Sequence, residues 1–332
     1  MNSLRSSQLS AMLFLSAAFT ILCQTASWTM EGIFGTGIAV AVQFLLCVPI
    51  FLLYRQGFSL SDGDVKHRLL STLLLGYLLV RGGVSFVRLQ RASDALTLPV
   101  SGKFFAAALI ALVCIYTASL GIRALARSST LILGLLLFAL AVLLLGAVPQ
   151  AEPQNLSLST DDTIFRGFLR EMACADELPL LLLLFDQMAH RRVRSTLQFL
   201  AGKLWLFAFL ALLGMAVLGD RMAHSPLPFF STISVSQPFS TQRADALYLV
   251  IFVMLCVLRI TLFTVFAARC LARLLPRLQY ASTICLGGML AISAAAAHFS
   301  ISAVWQIAAM VLFTSLIPLG LLLRQKFGGK TP

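Results

Sequence analysis

Charged residues are scarce in this sequence. Of 332 residues, 11% are Asp, Glu, Lys or Arg, whereas a soluble domain carries about a quarter. A polar linker long enough to separate a pair of folded units is also missing, so residues 1–332 read as one transmembrane domain. Acids are the scarcer sign, 13 against 25 Lys and Arg, for a net charge of +12. A basic balance can mark a nucleic-acid partner, but here the bases sit in short clusters between apolar runs. That pattern orients a membrane protein in its bilayer and excludes nucleic acid as the expected partner. The seven cysteines form no CxxC pair, and His67, His190, His224 and His298 have no metal-ligand spacing. There is no Gly-x-Ser-x-Gly elbow and no phosphate-binding Walker loop. Neither an enzyme, nor a cofactor, nor a metal centre is expected.

What is present is apolar sequence, 59% of the chain, with a strongly positive mean hydropathy. Windows of about 20 residues give ten candidate spans, at 9–28, 33–54, 69–89, 104–121, 128–148, 165–189, 197–219, 246–274, 280–298 and 302–323. The fold class is all-α and polytopic. The first apolar run follows Arg5 and is read as a retained helix rather than a signal peptide, because many spans follow it without a cleavage site. Most of the basic residues, including Arg55, Lys66, Arg68, the group Arg191, Arg192 and Arg194, and Arg324, fall on one side. Both termini are therefore expected in the cytoplasm. Two halves of five spans, 9–148 and 165–323, would then run in opposite senses. This is the inverted-repeat relation of many secondary transporters, whose sites lie at interrupted helices 1 and 6.

Span 6 carries the anomaly. Arg170, Glu171, Asp176, Glu177 and Pro179 occur within one membrane-length segment. Each charge costs roughly 2.5–3.5 kcal/mol near the centre of a spanning helix, so such residues face a protein interior or a watery cavity. Pro179 removes a donor and frees the carbonyl of Ala175, which predicts a helix broken at about 173–178. Glu171, Asp176 and Glu177 can hold an ammonium group or a coupling proton. The alternative is structural pairing with Arg170, Lys203 or Arg259. Arg259 lies more than a dozen residues into span 8 and requires a buried partner, in a gating role or a structural one. Arg81, beside Gly82 and Gly83 in span 3, is nearer an end, where its stem could reach the interface. Under the repeat model Gln24, Thr25 and Ser27 line the span 1 side. Tyr77 and Cys174 complete the candidate substrate contacts, although Tyr77 also fits a packing role.

Residues 242–277 begin Gln-Arg-Ala-Asp-Ala-Leu-Tyr and continue into a long helix with Arg259 near its middle. This resembles the eighth span of the spore-germination permeases, the B subunits of germinant receptors. Residues 116–127, Tyr-Thr-Ala-Ser-Leu-Gly-Ile-Arg-Ala-Leu-Ala-Arg, resemble that family's element at the end of span 4, with Arg123 where many members have Glu. The family's Gly-Gln-Asp-Ala-Trp-like start of span 2 is reduced here to Thr25-Ala26-Ser27-Trp28, the mark of a divergent member. The resemblance implies the amino acid/polyamine/cation transporter fold. It also implies a small nutrient ligand, an amino acid first of all, in the membrane of a spore former, and other receptor subunits as partners. An ion-coupled amino acid permease working alone is the alternative. In either case the pocket is expected between spans 1, 3, 6 and 8, with Glu171, Arg81 and Arg259 in coupling or gating roles.

Overall fold

The computed structural model describes residues 5–24, 29–58, 65–95, 100–156, 164–188, 191–225, 227–236, 245–296 and 302–328, and among them there is no strand. The α-helices in chain order are α1 Ser6–Leu22, α2 Met30–Leu46, α3 Val48–Arg55, α4 Val65–Ala95, α5 Val100–Ala147, α6 Ile164–Ala173, α7 Leu181–Leu184, α8 Arg192–Leu218, α9 Pro228–Val235, α10 Asp245–Leu274, α11 Ala281–Ala296, α12 Ala303–Val311 and α13 Ile317–Gly328. Six stretches are long and apolar enough to cross a membrane: Met30–Arg55, Arg68–Asp94, Ala107–Gln150, Arg192–Leu218, Ala246–Leu274 and Ala303–Arg324. The chain is a multi-pass membrane protein. Ser6–Leu22 and Ala281–Ala296 are apolar but shorter.

The expected spans 4 and 5 run together as α5, with Gly121 at φ +79° between them. Glycine takes that left-handed backbone without a Cβ clash, so the chain turns there without a polar loop. Along α5, Leu112, Leu131 and Leu145 are exposed. Apolar side chains on the outside are what a bilayer demands of a helix.

The interior is built on α1 and α10. Every residue of α1 from Ala11 to Leu22 is buried, with α5, α8 and α10 packed around it. Such a helix is apolar all round because it has no solvent face. Arg259 in α10 is fully buried, as are Thr261 and Thr264. Helix α4 lies against α10 and α11.

Helices α2 and α6 approach closely enough to exclude side chains. A Cβ on Gly35 would stand 2.2 Å from the Ile164 carbonyl oxygen and 2.8 Å from the Phe168 nitrogen. A Cβ on Gly167 would stand 2.8 Å from the Gly32 Cα. These neighbours are backbone atoms and cannot rotate away, which is why small residues occupy such crossings in membranes. Gly35→Ala is therefore expected to separate α2 from α6 and cost about 1–3 kcal/mol, the usual penalty for overpacking, read as a lower apparent Tm. Gly37→Ala, which meets nothing within 4 Å, is the neutral control; equal Tm values for the two variants would refute the close crossing.

Candidate functional site at the break in the sixth span

The segment expected as the sixth span is interrupted. Helix α6 ends at Ala173, residues 174–177 leave the helical path, and Leu178–Leu180 resume as a 3₁₀ turn leading into α7. Pro179 stands in the first turn of that segment, where a missing amide costs nothing. The carbonyl of Ala175, expected to be freed by Pro179, accepts instead from the Leu178 amide at 3.4 Å. Two other carbonyls at the break are taken by side chains. Tyr77 Oη donates to the Asp176 oxygen at 3.2 Å, and Gln43 Nε2 donates to the Glu171 oxygen at 3.3 Å.

Within the break, Asp176 and Glu177 are completely buried and gather cations from two helices. Arg259 Nη2 lies 2.6 Å from Asp176 Oδ2, and its Nη1 pairs with Glu177 Oε1. The same guanidinium donates from Nε to Ser85 Oγ at 2.9 Å and from Nη1 to the Ser16 carbonyl at 2.9 Å. Its flat faces meet the rings of Phe263 and Phe19, with centroids 5.1 and 5.9 Å away. This combination of a planar fork and aromatic stacking is specific to arginine. Arg81 Nη1 stands 3.0 Å from Asp176 Oδ1 and also donates to Gln306 Oε1 at 2.9 Å, tying α4 to α12. Its side chain does not run out to the interface; Arg81 is 3% exposed.

Before the break a second, separate cluster forms. Lys203 Nζ of α8 is 2.5 Å from Glu171 Oε1, and Gln43 Nε2 of α2 donates to the same oxygen at 3.2 Å. The two sides of the break are thus held by different helices. All three acids stand in ion pairs, the arrangement weighed in the sequence as their structural alternative, with Lys203 and Arg259 among the expected partners. Arg170, the third expected partner, lies with its Cζ 5.8 Å from the Phe207 ring centroid.

Arg88 is the residue that sequence reasoning missed. The hydropathy window ends span 3 at residue 89, and Arg88, one residue from that end, is counted with the outer connection. Helix α4 in fact continues to Ala95, and Arg88 Nη1 reaches Asp176 Oδ2 at 3.1 Å and Thr20 Oγ1 at 3.3 Å. A signal was present. Tyr77, Arg81, Ser85 and Arg88 recur at spacings of four, four and three, one face of a helix, and all four contact the network at the break. Ser16 and Gln43, neutral residues inside apolar runs, had no comparable signal.

Next to the network is a small polar cavity of about 160 Å³, lined by Thr20, Cys23, Gln24, Arg88, Arg91, Arg170 and Cys174. It lies between the end of α1, the end of α4 and the last turn of α6. Gln24 and Cys174, two expected ligand contacts, are brought together here. Asp176 and Glu177 lie deeper and do not line it. Thr25 falls outside the described residues, as does Ser27. Arg170 and Cys174 face the cavity, whereas Glu177 faces Arg259.

A family model described as spore germination protein matches residues 68–302, which include every charged residue of both clusters. None of the curated proteins matches the chain. Among solved structures, the one described as "Inward facing conformation of Mhp1" superposes with a TM-score of 0.50 at 14% identity, over 95% of this chain and 78% of that one. The likeness is one of fold alone.

Proposed function

Since the chain belongs to the spore germination protein family, we propose that it is a membrane subunit that binds a small nutrient germinant, an amino acid, inside a transporter-type fold. The observation that carries this reading is the cavity beside the break, where Gln24 and Cys174 meet Arg88 and Arg88 in turn touches Asp176. In this reading Gln24, Thr25, Tyr77, Cys174, Asp176 and Glu177 form or support the ligand site. Glu171, Arg81 and Arg259 set the relation between the two segments of the sixth span, and partner receptor subunits read that relation out. We further read residues 1–332 as one domain of two inverted halves with both termini in the cytoplasm.

Purified full-length protein in lipid nanodiscs is expected to bind at least one radiolabelled amino acid from a panel of the common twenty, displaceable by the unlabelled compound. Binding of none of them would refute the reading. The likeness of fold over nearly the whole chain supports a second reading, an ion-coupled permease acting alone. Proteoliposomes separate the two: a receptor subunit binds without flux above empty vesicles, whereas a permease accumulates label when a proton or sodium gradient is imposed.

A further inference from the structure

We infer that the cavity between α1, α4 and α6 receives the anionic end of its ligand, a carboxylate of a free small molecule, on Arg88, Arg91 and Arg170. This rests on the reading of the cavity as the ligand site and reverses the simplest expectation from the sequence, in which the acids of span 6 hold an ammonium group. Among the described residues, three of the seven that line it are arginines and none is acidic. The acids of span 6 lie elsewhere and already have cations. Asp176 has Arg81, Arg88 and Arg259 within 3.1 Å, Glu177 has Arg259, and Glu171 has Lys203.

An ammonium in this cavity would face guanidinium groups on two helices. A carboxylate there meets planar donor forks suited to its two oxygens. Thr20, Cys23 and Gln24 add neutral polar groups at the end of α1. The size agrees: about 160 Å³ is the volume of about five waters at roughly 30 Å³ each, enough for a ligand of a few heavy atoms and too little for a large side chain. The position of Arg88 gives binding a consequence. The same Nη1 that touches Asp176 Oδ2 at 3.1 Å also donates to Thr20 Oγ1 of the cavity wall at 3.3 Å. A carboxylate in the cavity therefore competes with Asp176 for Arg88, and occupancy loosens one of the three cations that hold the break.

The test uses full-length protein in phosphatidylcholine nanodiscs and reads ligand-induced thermal stabilisation. The probes are L-alanine, lactate and inorganic phosphate, against L-alaninamide and isopropylamine. L-alanine and lactate are expected to stabilise the protein, and the two amines are not. Arg91, at the exposed mouth, is the variant of choice because its loss leaves the buried network intact. Arg91→Gln is expected to keep the ligand-free Tm and to weaken L-alanine or lactate binding by about tenfold, the scale of one hydrogen bond to a charged group, with some of the loss recovered in Arg91→Lys.

Stabilisation by the amines with none by lactate would overturn the inference while leaving an amino-nitrogen site standing. No response to any probe would overturn both the inference and the ligand-site reading beneath it. Stabilisation by phosphate alone, or by phosphatidylglycerol in the nanodisc with no response to L-alanine or lactate, would assign the cavity to a phosphate or lipid headgroup and overturn the carboxylate. Unchanged affinity in Arg91→Gln would remove Arg91 from the site and the three-arginine cradle with it.

Discussion

Replacing Arg259 with methionine is expected to destabilise the protein by about 3–5 kcal/mol, the range for removing one partner of a buried ion pair. The guanidinium has no exposed surface and meets two carboxylates, two serines and two aromatic rings. Its loss does not fall equally on the acids. Asp176 keeps Arg81 and Arg88 within 3.1 Å. Glu177 loses the cation at Oε1 and keeps the Ser16 hydroxyl, at 3.2 Å. Most of the penalty is therefore the cost of a buried Glu177 charge, and Arg259→Met with Glu177→Gln is expected to recover a large share of it. Arg259→Lys keeps one positive charge but cannot reach Asp176, Glu177 and Ser85 from one planar fork, and should fall between the two. Thermal unfolding followed by intrinsic fluorescence, with the protein in one detergent throughout, measures all three. A methionine variant within 1 kcal/mol of the parent would show that Arg259 is not the cation that permits Glu177 to be buried.

The same comparison shows what a sequence makes legible in a membrane protein. Burial cost is visible one residue at a time, so Arg259, deep in an apolar run, and the acids of span 6, beside a proline, announce a polar interior by their positions in the chain alone. The break lies at residues 174–177, within the expected 173–178. Partner choice is different, because it depends on which helix faces which. Arg88 and Arg81 converge on Asp176 only because both stand on the same face of α4. Gln43 reaches Glu171 only because Gly32, Gly35 and Gly167 let α2 and α6 touch backbone to backbone. Hydropathy averages over faces, so it marks the presence of a polar centre and is silent on its wiring. Likewise the charge sign of a site is not the sign of its most conspicuous residues. The acids drew attention in the sequence, while the cavity itself is lined by arginines.

Lys203→Met is expected to cost about 3–5 kcal/mol by the same mechanism, toward the lower end because Gln43 still donates to Glu171 Oε1 at 3.2 Å. Glu171→Gln in the Lys203→Met background should recover much of it, since an amide needs no counter-ion. The informative experiment combines this site with the first. The Lys203 and Arg259 clusters share no side chain: one joins α2, α6 and α8 before the break, and the other joins α1, α4 and α10 to Asp176 and Glu177 within it. The backbone between them is held by the Cys174 amide to the Arg170 and Glu171 oxygens at 3.1 and 3.2 Å, by Tyr77 Oη to the Asp176 oxygen at 3.2 Å, and by the longer bonds of the Ala175 and Leu178 amides at 3.4 Å. Two sites that share no hydrogen bond or ion pair, coupled only by the longer-range attraction of Lys203 for Glu177 and Asp176, should lose stability nearly additively, within about 0.5 kcal/mol. Lys203→Met with Arg259→Met would then cost the sum of the two single variants. A coupling energy above about 1 kcal/mol would be outside that range and would mean that residues 174–177 transmit strain from one cluster to the other. In the additive case the break is a joint, each half of the sixth span is anchored to its own group of helices, and the halves can move apart as a ligand changes the hold on either one.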